Sequence, residues 1–302
     1  MRKKPQLTTF SAQDLKYLEL ERARKRLPWF NDYVLRDEAG RKITSAPHHY
    51  SWDEHIEYAI EIGKGAAILA PMASAKTNQI VIGETLKYLG WNPNLRIMIV
   101  SSAETIAAER LTTIGNYIEN SPQYHEVFPW VVRDRSAPWN NTRINVKRTA
   151  ALDADGMVGS INSSVSAFGY TSRAGIGARC DILICDDVVD ESNSVIGESS
   201  REHLKSMIQT QWISRMDSAP LFDRDGRQIS NGPILIFIGT RYHEEDLYAD
   251  LIANTDGFCT MVQGVSKDFH YYDATIYGAV ANPPHPVFAE YQHWTPDYSA
   301  IA

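Results

Sequence analysis

The stretch Cys180 to Asp190 reads C-D-I-L-I-C-D-D-V-V-D. Its apolar run, Ile182 to Cys185, is bounded by acidic residues, which is the pattern of a strand buried on both faces of a parallel sheet. Strands of open α/β sheets present ligand-binding groups at their carboxyl ends, so we expect Asp186 and Asp187 at the mouth of a binding crevice. Adjacent carboxylates repel each other and are commonly kept for a cation or for proton transfer. Taken alone, the stretch fits a solvated acidic turn equally well.

A loop upstream of this strand favours the functional interpretation. Gly65 to Ala70 is another short apolar run, and Thr77 to Leu89 carries apolar residues at helical spacing. Between them the chain matches the phosphate-binding pattern G-x-x-x-x-G-K-[ST], with alanine in both glycine positions. We therefore predict that ATP is bound by Ala70, Pro71, Met72, Ala73, Ser74, Ala75, Lys76 and Thr77.

The residue types of this loop suggest separate roles. Backbone N–H groups and the N-terminus of the following helix would surround the phosphates. Lys76 would neutralise the β- and γ-phosphates, and the Thr77 hydroxyl would hold Mg²⁺ together with Asp186. The strand–loop–helix context and the downstream acids favour binding of ATP and Mg²⁺ over the alternative, a plain turn between a strand and a helix.

The composition limits the protein class. The chain has 302 residues, enough for one large α/β domain or two small ones, and its net charge of −7 means that any nucleic-acid contact needs a local patch. The three cysteines, Cys180, Cys185 and Cys259, lack metal-binding spacing and are predicted to be core residues of a cytosolic protein. No apolar run is long enough to cross a bilayer, and no signal-peptide core is present, so we expect a soluble intracellular protein without membrane contact.

The remaining pattern predicts an α/β fold, with a P-loop NTPase core whose mainly parallel central sheet is flanked by helices. The predicted strands are 65–70, 95–100, 139–147, 163–170, 182–185 and 234–239, and the predicted helices are 11–27, 53–62, 77–89, 103–120 and 198–216. Ser11 with Asp14 would cap the first helix, Pro28 would end it, and Ser51 with Glu54 would cap the second. We divide the chain into an N-terminal helical lead-in (1–62), an ATPase core (63–265) and a linker (266–302).

Four further side chains are candidates for the site. Arg173 and Arg179 lie in a glycine-rich loop before the acidic strand and could stabilise charge on phosphate, although solvated arginines in a flexible loop are the alternative. His49, in the pair His48-His49, could contact the edge of a nucleotide base, although such a pair is more often at the surface. Thr240 follows the strand 234–239, where a γ-phosphate sensor is expected.

Four motifs occur in a fixed order: A-P-M-A-S-A-K-T (70–77), I-V-S-S-A-E-T-I-A-A-E-R (99–110), C-D-I-L-I-C-D-D (180–187) and I-G-T-R-Y-H-E-E-D-L (238–247). In this order and spacing they resemble the ATPase half of the large terminase subunit of tailed bacteriophages. The resemblance covers about 46–254, and T-R-Y-H-E-E-D-L is its most specific piece. H-P-V-F-A-E-Y (285–291) is similar to the segment that leads into the family's nuclease domain.

The resemblance implies roles and partners. Lys76 and Thr77 would be the Walker A residues, Asp186 the Walker B ligand of Mg²⁺, and Asp187 the base that orients the attacking water. Thr240 would link hydrolysis to movement. The implied function is an ATPase motor that translocates double-stranded DNA into a viral procapsid, at the portal, in the host cell cytoplasm. Its implied partners are the portal protein, the small terminase subunit and further copies of the chain in a homo-oligomeric ring.

The sequence also departs from the family pattern. Large terminases often carry an arginine early in the phosphate loop where this chain has Met72, so we expect a cation from a neighbouring subunit, with Arg173 or Arg179 as candidates. Many have Glu where this chain has Asp187. The family normally continues into a ribonuclease-H-like nuclease, before which this sequence ends, so we expect no nuclease activity from it. Two rival classes stay open: a helicase-type DNA-dependent ATPase, and an assembly scaffold whose degenerate loop binds no nucleotide.

Overall fold

The computed structural model describes residues 11–148, 162–175, 177–264, 274–280 and 285–286, and a large central sheet organises them. The strands are β1 (Gly65–Leu69), β2 (Ile97–Ser101), β3 (Arg143–Ile144), β4 (Val165–Gly169), β5 (Ile182–Asp186), β6 (Leu221–Phe222), β7 (Gln228–Ser230), β8 (Ile234–Gly239), β9 (Phe258–Gln263) and β10 (Ala274–Tyr277). Eight of them form one sheet in the order β10-β9-β1-β8-β5-β2-β4-β3, and β6 pairs with β7 in a separate hairpin. The six inner strands are parallel, whereas the edge strands β10 and β3 are antiparallel to their neighbours.

Helices cover the sheet. They are α1 (Ala12–Lys25), α2 (Leu27–Val34), α3 (Pro47–Glu61), α4 (Gly83–Trp91), α5 (Glu104–Asn120), α6 (Pro122–Val127), α7 (Glu191–Ser194), α8 (Glu198–Met207) and α9 (Leu247–Ala253). A π-helical turn, Thr77–Ile82, precedes α4, and another, Ile208–Trp212, follows α8. Among the described helices, none has the length and apolar character needed to span a membrane.

The central strands are buried on both faces. In β5, Ile182 and Ile184 point into one apolar cluster and Leu183 and Cys185 into the other. The same alternation places successive residues of β1 and β8 on opposite sides. Because both faces are covered, these strands need apolar residues at every position, which is why they appear in the sequence as continuous apolar runs.

The predicted α/β class and mainly parallel sheet are confirmed. The predicted strands 65–70, 95–100, 163–170, 182–185 and 234–239 correspond to β1, β2, β4, β5 and β8. The predicted strand 139–147 is wrong in extent, because Asn140 accepts hydrogen bonds from the N–H groups of Thr142 and Arg143 and forms a turn, which leaves only β3. The strands β9 and β10 were not predicted.

The lead-in is more helical than predicted. The capping box of Ser11 with Asp14 is confirmed, but Pro28 lies in the first turn of the additional helix α2. The helix α3 begins at Pro47, ahead of the predicted cap Ser51, and Nδ1 of His49 accepts a hydrogen bond from the N–H group at its start. The predicted start is therefore wrong.

The lead-in and the core share one hydrophobic cluster. Phe30 of α2 and Ile56 of α3 belong to the same cluster as Ile68 of β1 and Ile236 of β8. Most of the predicted linker, including 287–302, lies outside the described residues, but β10 falls within its range and pairs with β9. The domain boundaries stay a prediction.

Candidate functional site

Three neighbouring strands end at the candidate site. The strand β8 lies between β1 and β5, and all three are parallel, so their carboxyl ends meet at one edge of the sheet. The loop that carries Lys76 and Thr77 follows β1. Asp186 and Asp187 stand at the end of β5, and Thr240 follows β8. The topology therefore brings together segments that are far apart in the sequence.

The side chains of these segments contact one another. Nζ of Lys76 donates a hydrogen bond to Oγ1 of Thr240 at 2.9 Å and lies 3.5 Å from Oδ1 of Asp187. The Thr77 hydroxyl donates to Oδ1 of Asp186 at 3.2 Å. Thr240 in turn donates to the carbonyl oxygen of Ala70 at 3.0 Å, which fixes the start of the loop to the end of β8. These contacts bring a cation, two carboxylates and two hydroxyls together at this edge of the sheet.

The loop keeps a wrapped conformation although it lacks glycine. Ala73 and Ala75 have φ values of 61° and 63°, in the left-handed region that glycine normally occupies. This conformation costs an L-residue about 1–2 kcal/mol. Ser74 stabilises the turn by donating to the carbonyl oxygen of Pro71 at 2.8 Å, while the Met72 side chain is exposed. Ala75, in the second glycine position of the pattern, and Ala73 therefore strain the loop, which keeps its turn.

The His49 side chain is hydrogen-bonded to the backbone of the phosphate loop. The ring is buried, and Nδ1 accepts a hydrogen bond from the N–H group of Ala46 at 3.0 Å. Because Nδ1 is an acceptor, Nε2 carries the hydrogen and donates it to the carbonyl oxygen of Ser74 at 3.1 Å. Burial lowers the pKa of His49, which keeps the ring neutral. The structure thus gives this residue a bracing contact with the loop backbone, and its predicted contact with a base stays a prediction.

A second brace comes from α2. Asn31 donates through Nδ2 to the backbone carbonyl of Gln79 at 2.9 Å and to its side-chain oxygen at 2.8 Å. In an α-helix that carbonyl would accept from the N–H group of Gly83. Gly83 bonds instead to Asn78 and Ile80, and the segment Thr77–Ile82 is a π-helix. The lead-in therefore shapes the helix that begins at the phosphate loop.

Arg110 is a site residue that the sequence analysis missed. It lies on α5, and its Nε donates to Oδ2 of Asp186 at 2.9 Å, on the oxygen opposite the one bound by Thr77. The Asp186 carboxylate is completely buried, so an uncompensated charge there would be costly. Arg110 compensates it within the same chain. The residue closes one of the four family-like motifs, but nothing in its local sequence indicates which carboxylate it contacts.

Asp187 has the geometry of a positioned carboxylate. Its φ of 44° is unusual for a residue other than glycine, and its N–H group donates to the carbonyl oxygen of Ile238 at 2.9 Å. Burial raises the pKa of its carboxyl group, and the ammonium of Lys76 opposes that shift. About a third of the side chain, 35%, remains exposed. This carboxylate can therefore meet solvent, whereas that of Asp186 cannot.

Among the described residues, neither of the two predicted loop arginines bonds to the side chains of this site. Arg179 precedes β5 and donates to the carbonyl oxygen of Ser214, so it lies at the amino end of the strand whose carboxyl end carries Asp186. The strand itself separates them by roughly 13 Å, at about 3.3 Å per residue. Arg173 follows β4 and is exposed. Action of either arginine on a neighbouring subunit stays a prediction.

Comparisons with known proteins bear on the fold. No family model and no curated protein matches the sequence. Among solved structures, the chain is similar to the crystal structure of the HK97 bacteriophage large terminase, with a TM-score of 0.54 and 15% sequence identity. The match covers 81% of this chain and 44% of the terminase chain, so this chain spans less than half of that protein. The large-terminase-like fold expected from the motifs is confirmed.

Proposed function

We propose that this chain is the ATPase motor domain of a viral DNA-packaging terminase, which hydrolyses ATP to translocate double-stranded DNA into a procapsid. One observation carries the proposal: Lys76, Thr77, Asp186, Asp187 and Thr240 converge from three segments on the carboxyl edge of the sheet. The likeness of the fold to a phage large terminase supports it.

The residues present fit ATP and Mg²⁺. The Asp186 carboxylate and the Thr77 hydroxyl lie together, and Mg²⁺ takes oxygen ligands of this kind. The ammonium of Lys76 reaches beyond the loop to Thr240 and Asp187, where a terminal phosphate would be neutralised. Bound Mg²⁺ would supply further charge neutralisation on the β- and γ-phosphate oxygens.

The side chains of the site would have separate roles in ATP hydrolysis. Lys76 would exchange its present acceptors for phosphate oxygens, and Thr240 would lose a hydrogen bond when that happens. Because Thr240 also holds the carbonyl of Ala70, the change would reach both β1 and the segment after β8. Asp187 would accept a hydrogen bond from the attacking water and orient it. Movement of the segment after β8 would then link hydrolysis to translocation.

The proposed partners follow from the proposed motor. They are double-stranded DNA, the portal protein, the small terminase subunit and further copies of this chain in a ring, assembled at the procapsid portal in the host cytoplasm. An arginine from a neighbouring subunit would supply charge stabilisation that Met72 cannot, which can change the rate on the order of 10³-fold or more. ATP hydrolysis per chain should therefore rise with protein concentration.

Mixing variants tests the ring. Arg173→Ala or Arg179→Ala is combined with Lys76→Ala, and mixed rings should recover part of the activity that each variant lacks alone. No recovery, together with a rate per chain that is independent of concentration, would remove the neighbouring arginine from the proposal and leave Arg110 as the candidate within the chain.

The function itself is tested by ATP hydrolysis with duplex DNA and with procapsids that carry the portal. Protection of the DNA from nuclease, dependent on ATP and Lys76, is expected. Strand unwinding without packaging would favour a helicase-type ATPase. No nucleotide binding in calorimetry would favour a scaffold.

A further inference from the structure

Three potential metal ligands lie close together at α3, and none of them is among the residues assigned to the nucleotide. They are His55 of α3, Cys259 of β9 and His285, which follows β10 in the chain. All three are buried, and one ligand atom from each lies within 4.8 Å of the others. Local spacing in the sequence could not reveal this group, because its members come from three distant segments.

The hydrogen bonds of His55 leave one ring nitrogen suited to a metal ion. Nε2 lies 2.9 Å from the carbonyl oxygen of Cys259 and 3.1 Å from that of Ala67. Carbonyl oxygens only accept, so Nε2 carries the hydrogen and Nδ1 carries a lone pair. That lone pair faces Nε2 of His285 at 2.9 Å. Histidines that bind metals usually donate their other N–H group to a carbonyl or carboxylate in this way.

We propose that His55, His285 and Cys259 bind a zinc ion that clamps the chain beyond β10 to α3 and the central sheet. Two imidazole nitrogens and a thiolate are donors that Zn²⁺ accepts, and they differ from the oxygen donors that suit Mg²⁺. The described residues supply three ligands, and a water molecule would complete a tetrahedral site.

The geometry requires only small movements. Zinc binds nitrogen at about 2.0–2.1 Å and sulfur at about 2.3 Å, so tetrahedral ligand atoms lie roughly 3.3–3.7 Å apart. The two histidine nitrogens would separate by a few tenths of an ångström, and the thiol, now within 4.8 Å, would move inward by up to about 1.2 Å.

The proton balance is also simple. Zinc would displace the Cys259 thiol proton to solvent, and His285 would carry its hydrogen on Nδ1, with Nε2 left to bind the metal. His285 would release to solvent the hydrogen that Nε2 now donates to His55 and take one up on Nδ1, so the ring stays neutral and the net release is the one thiol proton. The thiolate would reduce the buried charge of the ion from +2 to +1.

The clamp would act on the same helix that supports the phosphate loop. The helix α3 carries His55 and also His49, which bonds to the loop at Ser74. A metal ion at His55 would therefore stabilise the position of α3 against β1 and β9. The competing arrangement is a dry pair of histidines joined by a hydrogen bond, beside a buried thiol that binds nothing.

The test uses the full chain, purified under reducing conditions without chelator. Loading with Zn²⁺ followed by elemental analysis should give about one zinc per chain. Replacement by Co²⁺ should produce a near-ultraviolet absorption band from thiolate-to-cobalt charge transfer. Both signals should be lost in Cys259→Ala and in His285→Gln. The matched control is Cys180→Ala, which removes another buried thiol and should keep the zinc and the band.

Thermal melting gives a second measurement. Zn²⁺ should raise the melting temperature of the wild type and of Cys180→Ala, but not of the two ligand variants, because a ligand stabilises only the fold that binds it. If Cys259→Ala does not fold, His285→Gln answers the same question. Absence of a cobalt band in the wild type, or a band that persists in Cys259→Ala, would overturn the zinc site and establish the dry histidine pair.

Discussion

The candidate site and a cluster between α3 and α4 both contain a buried lysine and two carboxylates, yet they differ in what they can do. In the cluster, Nζ of Lys87 lies 3.1 Å from Oε2 of Glu84 and 3.7 Å from Oδ1 of Asp53, and all three side chains are buried. Arg26 adds a hydrogen bond to Asp53 at 2.7 Å. The charges of this helix cluster are thus balanced among themselves.

At the candidate site the charged side chains are less fully paired with one another. Lys76 lies 3.5 Å from Asp187, whose side chain is partly exposed, and its closest partner is the neutral hydroxyl of Thr240. A phosphate can replace these partners without leaving a buried carboxylate alone. Burial and charge therefore do not identify a site by themselves. Placement at the ends of parallel strands, with partners that can be exchanged, distinguishes the candidate site from the helix cluster.

The two lysines should respond in opposite ways to substitution. Lys76→Ala should lower ATP hydrolysis on the order of 10³-fold, because a positioned charge at the phosphates is lost, while the melting temperature changes little. Lys87→Met, the matched control, should destabilise the fold by about 3–5 kcal/mol, since the buried Glu84 side chain loses its cationic partner, while Asp53 keeps its bond to Arg26. Hydrolysis per folded molecule should survive in Lys87→Met. Wild-type hydrolysis in Lys76→Ala would show that the phosphate loop is assigned incorrectly.

The two adjacent acids of the site should also differ from each other. Asp187→Asn should keep nucleotide binding and lower turnover on the order of 10²-fold, as expected for a group that orients water. Asp186→Asn should weaken Mg²⁺-dependent nucleotide binding itself. Calorimetric titration with ATP at several Mg²⁺ concentrations measures nucleotide binding in both variants, and the rate of ATP hydrolysis measures turnover. Equal loss of binding in the two variants would contradict the division of roles.

Arg110 should affect both fold stability and ligand binding, because it neutralises a buried carboxylate that belongs to the candidate site. Arg110→Gln should lower the stability of the ligand-free protein by about 1–3 kcal/mol, a value reduced by the partial exposure of the guanidinium. Mg²⁺ with an ATP analogue should restore more stability to this variant than to the wild type. Arg179→Gln, at the other edge of the sheet, is the control and should change neither value. Identical shifts in both variants would remove Arg110 from the site.

The contribution of the helix cluster to the stability of the fold should depend on pH. Burial raises the pKa of Glu84 to about 7 from its usual 4.5. Burial also opposes the charge of Lys87, but the neighbouring carboxylates together outweigh it and raise the pKa of that lysine, so the lysine keeps its charge and Glu84 holds the extra proton. The folded state thus binds a proton that the unfolded state releases. The stabilising contribution of Glu84 is complete below pH 4.5 and is lost as the pH rises towards 7.

Glu84→Gln should remove this pH dependence. Relative to the wild type, the variant should gain on the order of 1–3 kcal/mol between the acid and neutral ends of that window. Urea unfolding at a series of pH values measures the difference. Glu57→Gln, on a more exposed neighbour in the same cluster, should gain less. Parallel stability curves for Glu84→Gln and the wild type would show that Glu84 stays ionised.

The central strands and the phosphate loop could be predicted because each carries its signal locally. A strand buried on both faces is apolar at every position, and the loop has a fixed order of residue types. By contrast, β9 contains Thr260 and Gln263, which are buried although polar, so its residues do not follow a clear strand pattern. The contacts of Arg110 and of His49 depend on partners distant in the sequence, which a pattern in one segment does not specify.

The most direct test is a structure determined with Mg²⁺ and a non-hydrolysable ATP analogue. The triphosphate should lie against residues 70–77, with Lys76 contacting phosphate oxygens, the metal beside Thr77 and Asp186, and the Lys76–Thr240 hydrogen bond broken. The helix cluster borders a cavity of about 540 Å³ lined by Lys87, Tyr88 and Trp91, which offers another place for a nucleotide. Density for the analogue in that cavity, with an unoccupied phosphate loop and an unchanged Lys76–Thr240 contact, would contradict the assignment of the candidate site.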